Sequence, residues 1–332
     1  MKIGIIGAGA WGATLAQVLV DNNHQVVVYD NNKQNIEKIN MQQHPFFDCK
    51  ISSEIKTVNT IKEITDQADY VLLAVPTKAI RTILEEINKN LNRKTVFICV
   101  SKGIEPKTGL RISEIVKEIV KEEYYGGYVV LTGPSHAEEV ILRKLTLLTV
   151  ASEDEKLAKK LQKVFSNENY LRVYTTTDVI GAEVGGATKN GIAIVSGIIT
   201  GLDLGENARA ALITRGILEI ARVVEFYGGT KDTAFGLTGV GDLIVTASSE
   251  HSRNFRAGKK IGLGKTIEEI YAEEPQTIEG VRVIEALHDI SVKNNIYLPI
   301  INAAYEVIFE KVPIKEAIAK ILSAKLKEEK IE

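Results

Sequence analysis

Residues 1–12 read MKIGIIGAGAWG, an apolar strand followed at once by the pattern G-x-G-x-x-G. Gly7 permits a tight turn, Gly9 lets the backbone approach a pyrophosphate, and Gly12 lets the next helix pack closely on the strand. That helix is predicted from about Ala13 to Val20, and its first amide groups and positive dipole end face the phosphates. On its own, the pattern also fits an ordinary glycine turn.

A second strand strengthens the prediction of a dinucleotide site. It runs from Gln25 to Tyr29 and ends in Asp30, 18 residues after Gly12. An acidic side chain at that point is suited to hold the hydroxyl groups of the adenosine ribose. We therefore expect a strand, glycine turn and helix that bind a dinucleotide.

The composition excludes several other classes of protein. The chain has 332 residues, enough for two domains, and a net charge of −2, which gives no electrostatic attraction for nucleic acid. The longest apolar stretch, Gly191–Leu202, is too short to span a bilayer. Two cysteines, Cys49 and Cys99, fit a reducing cytoplasm. The five histidines are scattered, so no metal site is predicted.

Strand and helix signals alternate through the first half of the chain, which indicates a mostly parallel, doubly wound sheet of the Rossmann type with helices on both faces. The predicted strands after the first two are Tyr70–Val75, Thr95–Val100, Tyr128–Thr132 and Leu145–Ala151, and the clearest helices are Lys78–Leu91 and Leu110–Glu122.

Helical periodicity alone continues beyond about Asp178. A domain boundary is therefore predicted near 178–186, with a dinucleotide-binding α/β domain over 1–180 and an all-helical substrate and catalytic domain over 181–332. The helix Ala187–Leu202, rich in small residues, could pack within its domain or across a dimer. Residues 325–332 are expected to form a frayed tail. The other predicted helices are Ala208–Tyr227, Thr266–Ala272, Val281–Asn294, Ile300–Glu310 and Ile314–Leu326.

Three polar turns follow predicted strands of the first half. They are Val75-Pro76-Thr77, Ser101-Lys102-Gly103-Ile104-Glu105 and Thr132-Gly133-Pro134-Ser135-His136-Ala137. Ligands of open α/β sheets bind outside the carboxyl ends of strands. Each turn alone could be a solvated connection, but three at such ends indicate one ligand-binding crevice.

The helical half carries a second set of polar residues. Lys189 lies among small residues in GGATKN, residues 185–190, and a buried lysine is costly unless paired. A desolvated lysine can serve as a proton donor near neutrality; the alternative is a surface lysine whose stem lies along the protein. Asp242 is a candidate acidic partner.

Residues 252–254, Ser252-Arg253-Asn254, offer a hydroxyl, a guanidinium fork and an amide, and Thr246 precedes them. Such a group suits a phosphate. Ser252 could also be a helix N-cap, and the two roles are compatible. Together, these features predict a nicotinamide-dependent dehydrogenase whose substrate carries an anion.

These segments resemble the bacterial type of NAD(P)-dependent glycerol-3-phosphate dehydrogenase, in the right order and over nearly the whole chain. The matching segments are GAGAWG at 7–12, VPT at 75–77, SKGIE at 101–105, TGPSHAEEV at 132–140, GAEVGGATKN at 181–190, GDL at 241–243, SRN at 252–254 and EGV at 279–281.

The resemblance implies reversible reduction of dihydroxyacetone phosphate to sn-glycerol 3-phosphate, which supplies phospholipid synthesis, in a cytoplasmic homodimer. It implies Lys189 as the acid/base, Lys102 as a second cation that also contacts the cofactor, and Asp242 as the residue that orients Lys189. It further implies substrate contacts from Gly133, Ser135, Asn190, Thr246, Ser252, Arg253 and Asn254, and cofactor contacts from Gly7, Gly9, Ala10, Trp11, Gly12, Ala137, Arg253, Ile278 and Glu279.

The chain departs from this family at two places. The family often has a basic residue or histidine after the second strand, which can accept a 2′-phosphate, whereas Asp30, Asn31 and Asn32 stand here. Asp30 would repel a phosphate, so NADH is expected to be preferred over NADPH, with Lys33 as a residue that could swing toward a phosphate. The segment His44–Cys49 replaces a Y-L-P-G type turn and is interpreted as a variant loop over the cofactor cleft.

Two rival functions stay open at this point. A two-domain dehydrogenase of another hydroxy acid, of the 3-hydroxyacid or ketopantoate type, would share the architecture and a catalytic lysine, but residues 252–254 with Thr246 suit phosphate better than carboxylate. A non-catalytic NAD sensor would be expected to lack part of the polar set, yet Lys102, Lys189, Asp242 and Arg253 are all present.

Overall fold

The computed structural model describes residues 1–105, 108–273, 278–323, 325 and 328–329. They form two compact units, of which the first comprises Met1–Glu105 and Leu110–Val179 and the second comprises the chain from Ile180 onward together with the short segment at 108–109. Among these described residues, all strands lie in the first unit and the second unit contains only helices. The predicted fold class, a Rossmann-type sheet followed by an all-helical region, is confirmed.

The sheet of the first unit has eight strands in the order β3-β2-β1-β4-β5-β6-β7-β8. Neighbouring strands are parallel except β6 and β7, which are antiparallel. The order reverses direction beside β1, so the carboxyl ends of β1 and β4 flank a topological switch point, where doubly wound sheets bind ligands. The strands are β1 (Lys2–Ile6), β2 (Gln25–Tyr29), β3 (Lys56–Thr57), β4 (Tyr70–Leu73), β5 (Thr95–Cys99), β6 (Tyr125–Thr132), β7 (Thr146–Ala151) and β8 (Leu171–Thr176).

The helices of the first unit cover the sheet. The first of them begins at Ala10, earlier than the predicted Ala13, because the second half of the glycine pattern already forms its first turn. The seven are α1 (Ala10–Asp21), α2 (Lys33–Asn40), α3 (Ile61–Gln67), α4 (Thr77–Asn90), α5 (Ile112–Ile119), α6 (Ala137–Val140) and α7 (Glu155–Phe165), with a 3₁₀ turn at Glu122–Tyr124.

The core of the first unit lies between the strands and these helices. Ile3 and Ile5 of β1 are fully buried in one cluster with Leu15 and Leu19 of α1. These two leucines are four positions apart and therefore lie on one face of the helix. Burial of each such side chain stabilises the folded state by about 1.5–3 kcal/mol. This packing holds β1 and α1 together and so fixes the glycine turn between them.

Nine helices form the described part of the second unit. The first begins at Val179, not at Ala187, and so covers nearly all of 178–186, near which a boundary was predicted. The division into units falls between Val179 and Ile180, in its first turn. They are α8 (Val179–Gly201), α9 (Gly205–Phe226), α10 (Lys231–Ala234), α11 (Asp242–Ala247), α12 (Arg253–Gly262), α13 (Ile267–Glu273), α14 (Glu279–Asn294), α15 (Pro299–Ile308) and α16 (Ile314–Leu322), with a π-helical turn at Leu237–Gly241.

Helices α8 and α12 approach each other through four glycines, Gly197, Gly201, Gly258 and Gly262, which we call the glycine seam. A Cβ atom on Gly258 would lie 1.9 Å from the carbonyl oxygen of Ile194, and one on Gly197 would lie 2.1 Å from that of Phe255. Backbones this close leave no room for a side chain. The small-residue helix therefore packs within its own unit.

A buried carboxyl group joins two other helices of this unit. Glu219 of α9 accepts hydrogen bonds from the amides of Ile300, at 2.6 Å, and Ile301, at 3.1 Å. These amides belong to the first turn of α15, where the helix itself supplies no partner. Glu219 thus serves as the N-terminal cap that Pro299 and Leu298 do not provide.

Within the described residues, no helix combines the length and the apolar character needed to cross a membrane. The same residues contain no group of three His, Cys, Asp or Glu side chains that could hold a metal ion, and a metal-free site stays a prediction. The expected frayed tail, 325–332, lies mostly outside the described residues.

Candidate active site

The glycine turn after β1 has the backbone geometry that its pattern predicts. Gly7 has φ of +104°, and a Cβ there would lie 2.5 Å from the carbonyl oxygen of Ala74. A Cβ on Gly12 would lie 2.0 Å from the carbonyl oxygen of Gly7, whereas one on Gly9 would meet no atom within 4 Å. Gly7 and Gly12 are thus required by packing, and Gly9 faces open space that a ligand could use.

The first turn of α1 fits an anion. Gly9 is the N-cap residue, and no described side chain caps the helix there. The amides of Ala10, Trp11 and Gly12 begin the helix, where backbone donors lack intrahelical partners. Together with the open space beside Gly9, this start fits the pyrophosphate of a dinucleotide.

Asp30 lies at the carboxyl end of β2 and contacts this turn directly. Its carboxylate accepts hydrogen bonds from the amide of Ala8 at 2.6 Å and from the amide of Asn32 at 2.7 Å. Asn32 in turn caps α2, and Asn31 is exposed. The carboxylate therefore places a negative charge beside the glycine turn, where the ribose of a bound dinucleotide is expected.

The three polar turns of the first unit come together. The Ser101 hydroxyl donates to the carbonyl oxygen of Val75 at 2.5 Å, and the Lys102 ammonium donates to that of Gly133 at 3.3 Å. A Cβ on Gly103 would lie 2.4 Å from Thr77 Oγ1. Each turn thus touches another, as expected for one crevice at the strand ends.

Other predicted residues of this unit lie beside these contacts. Ser135 donates to the carbonyl oxygen of Gly133 at 3.0 Å, and Ala137 is the buried first residue of α6. The hydroxyl groups of Thr77 and Thr132 are buried without a hydrogen-bond partner among the described residues. Both threonines follow or end strands at the crevice, so their hydroxyl groups fit a ligand that would satisfy them.

Sequence reasoning missed the side chain that holds the Lys102 segment. Arg81 of α4 donates two hydrogen bonds of 2.8 Å to the two carboxylate oxygens of Glu105, and a third of 2.8 Å to Glu118 of α5. The paired geometry fixes Glu105, three residues after Lys102. Because Arg81 and Glu105 are 24 residues apart, no local pattern could have indicated this pair.

The central feature of the second unit is a buried ion pair. Lys189 Nζ lies 2.7 Å from Asp242 Oδ1, and the two side chains are 5% and 2% exposed. Lys189 also donates to the Thr246 hydroxyl at 2.5 Å, and that hydroxyl donates to the backbone carbonyl of Asp242 at 2.6 Å. The surface-lysine alternative is therefore wrong, and the ammonium group is held in a defined position.

Helix α8 and the π-helical turn before α11 bring the pair together. Lys189 lies in the middle of α8, after the buried Gly185 and Gly186. Asp242 is the first residue of α11, directly after the π-helical turn, in which a Cβ on Gly239 would lie 2.0 Å from the carbonyl oxygen of Ala234. Such turns are frequent at functional sites.

A second buried network lies beside Lys189 along α8. Asn254 donates to Asn190 Oδ1 at 2.9 Å and accepts from the amide of Gly280 at 3.0 Å. It therefore links the residue after Lys189 to the start of α14, where Ile278 is the N-cap and Glu279 the first helical residue. Hydrogen bonds thus connect the predicted substrate residues Asn190 and Asn254 to the helix start at which the predicted cofactor residues Ile278 and Glu279 lie.

Residues Ser252 and Arg253 occupy the start of α12. The Ser252 hydroxyl accepts from the amide of Phe255 at 3.2 Å, so the N-cap assignment is confirmed. Arg253 is exposed at the first helical position. The functional roles of all these residues stay predictions. The contacts show a lysine held in a buried ion pair, a helix start without a side-chain cap and a set of polar side chains.

The comparisons with family models, with known sequences and with solved structures agree with one another. The family model described as the NAD-dependent glycerol-3-phosphate dehydrogenase N-terminus matches residues 2–158, and the model for the C-terminus matches residues 178–319. A protein of Acholeplasma laidlawii named glycerol-3-phosphate dehydrogenase (NAD(P)+) is 60% identical, over 100% of both chains. The solved structure of a glycerol-3-phosphate dehydrogenase from Coxiella burnetii has a TM-score of 0.89 at 30% identity and covers 97% of this chain and 98% of that one.

The rival hydroxy-acid class is similar in fold alone. A ketopantoate reductase structure from Ralstonia eutropha covers 96% of this chain and 99% of its own, with a TM-score of 0.61 at 15% identity. The similarity explains why the two-domain plan by itself could not separate the two classes.

Proposed function

The chain belongs to the family of NAD-dependent glycerol-3-phosphate dehydrogenases, and on this basis we propose that it reduces dihydroxyacetone phosphate reversibly to sn-glycerol 3-phosphate with Lys189 as the proton donor. The protein is an oxidoreductase that uses a nicotinamide cofactor. The observation that carries the proposed role of Lys189 is its buried pair with Asp242.

The reaction needs a hydride, which a bound nicotinamide supplies, and a proton for the oxygen at C2. Lys189 Nζ carries that proton and stabilises the negative charge that develops on the oxygen. Asp242 and Thr246 hold Nζ in place, so little reorganisation is needed when the charge forms. Lys102 adds a second positive charge near the substrate oxygens and the cofactor.

The phosphate of the substrate requires several donors. Asn190, Ser252, Arg253 and Asn254 supply amide, hydroxyl and guanidinium groups, and Gly133 and Ser135 complete the set. The cofactor is held by the turn from Gly7 to Gly12, by Asp30, and by Ala137, Ile278 and Glu279. In this arrangement the α/β unit serves as the dinucleotide-binding domain and the helical unit as the substrate and catalytic domain.

NADH is the preferred cofactor in this proposal, because the Asp30 carboxylate would repel a 2′-phosphate. In Asp30→Asn the charge is removed, while one oxygen remains to accept from the Ala8 amide. The ratio of kcat/KM for NADPH to that for NADH should rise by about tenfold, equivalent to about 1.4 kcal/mol. Higher kcat/KM of the parent enzyme with NADPH than with NADH would refute the preference.

A cytoplasmic homodimer is also proposed. Both cysteines are free thiols, which suits a reducing compartment, and the dimer rests on the family resemblance. Sedimentation equilibrium gives the mass in solution, and a mass of one chain at micromolar concentration would contradict the dimer.

The decisive experiment is NADH oxidation with dihydroxyacetone phosphate, followed by the absorbance of the reduced nicotinamide. We expect rapid turnover by the parent and a loss of about a thousandfold or more in kcat for Lys189→Ala. Similar turnover by both proteins would keep the substrate but move the acid to Lys102 or to water. No turnover by the parent with either cofactor would favour phosphate-free hydroxy acids.

A further inference from the structure

The loop between α2 and β3 is attached to α1 by a buried histidine. His44 is 2% exposed. Its Nδ1 accepts from the amides of Phe46 and Phe47, at 3.1 and 3.2 Å, and its ring stacks on Phe47 with a 4.5 Å centroid distance. On its other side, Nε2 lies 3.2 Å from the carbonyl oxygen of Ala10.

These contacts allow only one protonation state. Backbone amides can only donate, so Nδ1 must be unprotonated to accept from them. The Ala10 carbonyl can only accept, so Nε2 must carry the hydrogen and donate it. Burial lowers the pKa of His44 to about 4, and Lys38 adds to this effect. The imidazole is therefore a neutral connector with one acceptor side and one donor side.

The donor side reaches the cofactor turn. Ala10 is the first residue of α1, and Trp11 and Gly12 follow it. The Thr14 hydroxyl donates to the same Ala10 carbonyl at 2.8 Å and lies 3.2 Å from Nε2. A shift of this carbonyl would turn the peptide plane that carries the Trp11 amide, one of the groups expected to face the pyrophosphate.

We propose that His44 is a positioning residue for the dinucleotide: through Nε2 it fixes the Ala10–Trp11 peptide, and through Nδ1 it holds the loop beside that peptide. The proposal rests on the proposed function, since it requires that the turn binds a nicotinamide dinucleotide. It assigns a function to His44–Cys49, the segment that replaces the Y-L-P-G type turn of the family.

A direct binding measurement can test this role without catalysis. The chain has a single tryptophan, Trp11, which lies in the turn itself, so quenching of its fluorescence by NADH reports occupancy of the site. In His44→Asn the amide oxygen can replace Nδ1 as acceptor, but no group reaches the Ala10 carbonyl. In His44→Gln the longer side chain can donate to that carbonyl.

We expect the Kd for NADH to rise about tenfold in His44→Asn, equivalent to about 1.4 kcal/mol, and to return to within about threefold of the parent in His44→Gln. KM for NADH should rise in parallel with Kd, while kcat changes less than about twofold. The matched control is His288→Asn, which alters a half-buried histidine of the helical unit and should leave Kd for NADH unchanged.

The outcomes separate the two proposals. If the parent binds NADH and His44→Asn binds it equally well, with only a lower Tm, His44 is a structural residue and the positioning role is refuted. Equal losses in His44→Asn and His44→Gln would also refute the link through Ala10. If NADH does not quench Trp11 in the parent, the proposed cofactor site fails, and the positioning role fails with it.

Discussion

The Lys189–Asp242 pair shows how one residue can matter to both stability and chemistry. Its two charges are nearly inaccessible to solvent, so each depends on the other for compensation of a large desolvation penalty. A buried pair of this kind adds little net stability compared with apolar side chains. Loss of only one partner is therefore far more damaging than loss of both.

Asp242→Asn should lower the free energy of unfolding by about 3–5 kcal/mol, because it leaves the Lys189 charge buried beside a neutral amide. The double variant Lys189→Met/Asp242→Asn should recover most of that loss. Unfolding in guanidinium chloride measures the free energy of unfolding of the single and of the double variant. The control is Glu250→Gln, which breaks the exposed pair with Lys259 and should change stability little. A double variant no more stable than Asp242→Asn would contradict the argument.

At the scale of elements, the glycine seam determines how the helix that carries Lys189 is held. Gly197→Ala would place a Cβ 2.1 Å from the Phe255 carbonyl oxygen, so we expect a loss of about 1–3 kcal/mol as α8 and α12 separate. Gly185→Ala, in the same helix, would place its Cβ 3.5 Å from the Thr238 carbonyl oxygen, an ordinary contact.

Thermal unfolding of these two variants forms a matched comparison. Gly185→Ala should be neutral or more stable, because alanine favours helix by up to about 1 kcal/mol. Equal destabilisation by both substitutions would show that backbone proximity is not what the seam residues share.

The elements also show what sequence can reveal. Strong periodicity predicted nine of the sixteen described helices and most of the buried strands, with errors of a few residues at their ends, except that α8 begins eight residues before its predicted start. It missed β3, which has only two residues, and β8, whose exposed Arg172 and Tyr174 weaken the apolar signal. The antiparallel direction of β7 was also beyond reach, because side-chain alternation is the same in both directions.

The residues of the candidate site also differ in how well the sequence could predict them. The glycine turn was predictable because its residues are adjacent and each has a backbone reason. The Lys189–Asp242 contact, across 53 residues, was expected from chemistry and the family resemblance and is present in the structure. The contacts of Arg81 and His44 depend on tertiary packing, and no local pattern indicated them.

For the whole molecule, two buried groups make the stability of the two units depend on pH in opposite directions. Burial raises the pKa of Glu219, in the helical unit, to about 8, above its ordinary value of about 4.3. The folded state then keeps a proton that the unfolded chain releases, so this contribution falls as pH rises from about 4.3 to about 8. His44, in the α/β unit, has a lowered pKa, and its contribution falls as pH drops below about 6.5.

Glu219→Gln should therefore remove a contribution to the free energy of unfolding that decreases as pH rises. The difference in Tm between the parent and Glu219→Gln should be largest near pH 5 and shrink toward pH 8, with a constant offset for the hydrogen bond that glutamine cannot accept. Glu225→Gln, which alters an exposed acid of the same helix, should show no such trend. A Tm difference that stays constant between pH 5 and pH 8 would mean that Glu219 is ionised throughout this range and would contradict the prediction.

The glycine seam also has a genetic consequence. Every single-base missense change in a glycine codon introduces a residue with a Cβ atom, and the seam positions have no space for one. No single-base missense change is therefore acceptable at the four codons of the seam, those of Gly197, Gly201, Gly258 and Gly262. A saturation-mutagenesis library selected for folded protein should be depleted at these four codons for every amino acid except glycine, whereas exposed positions of the same helices should accept many.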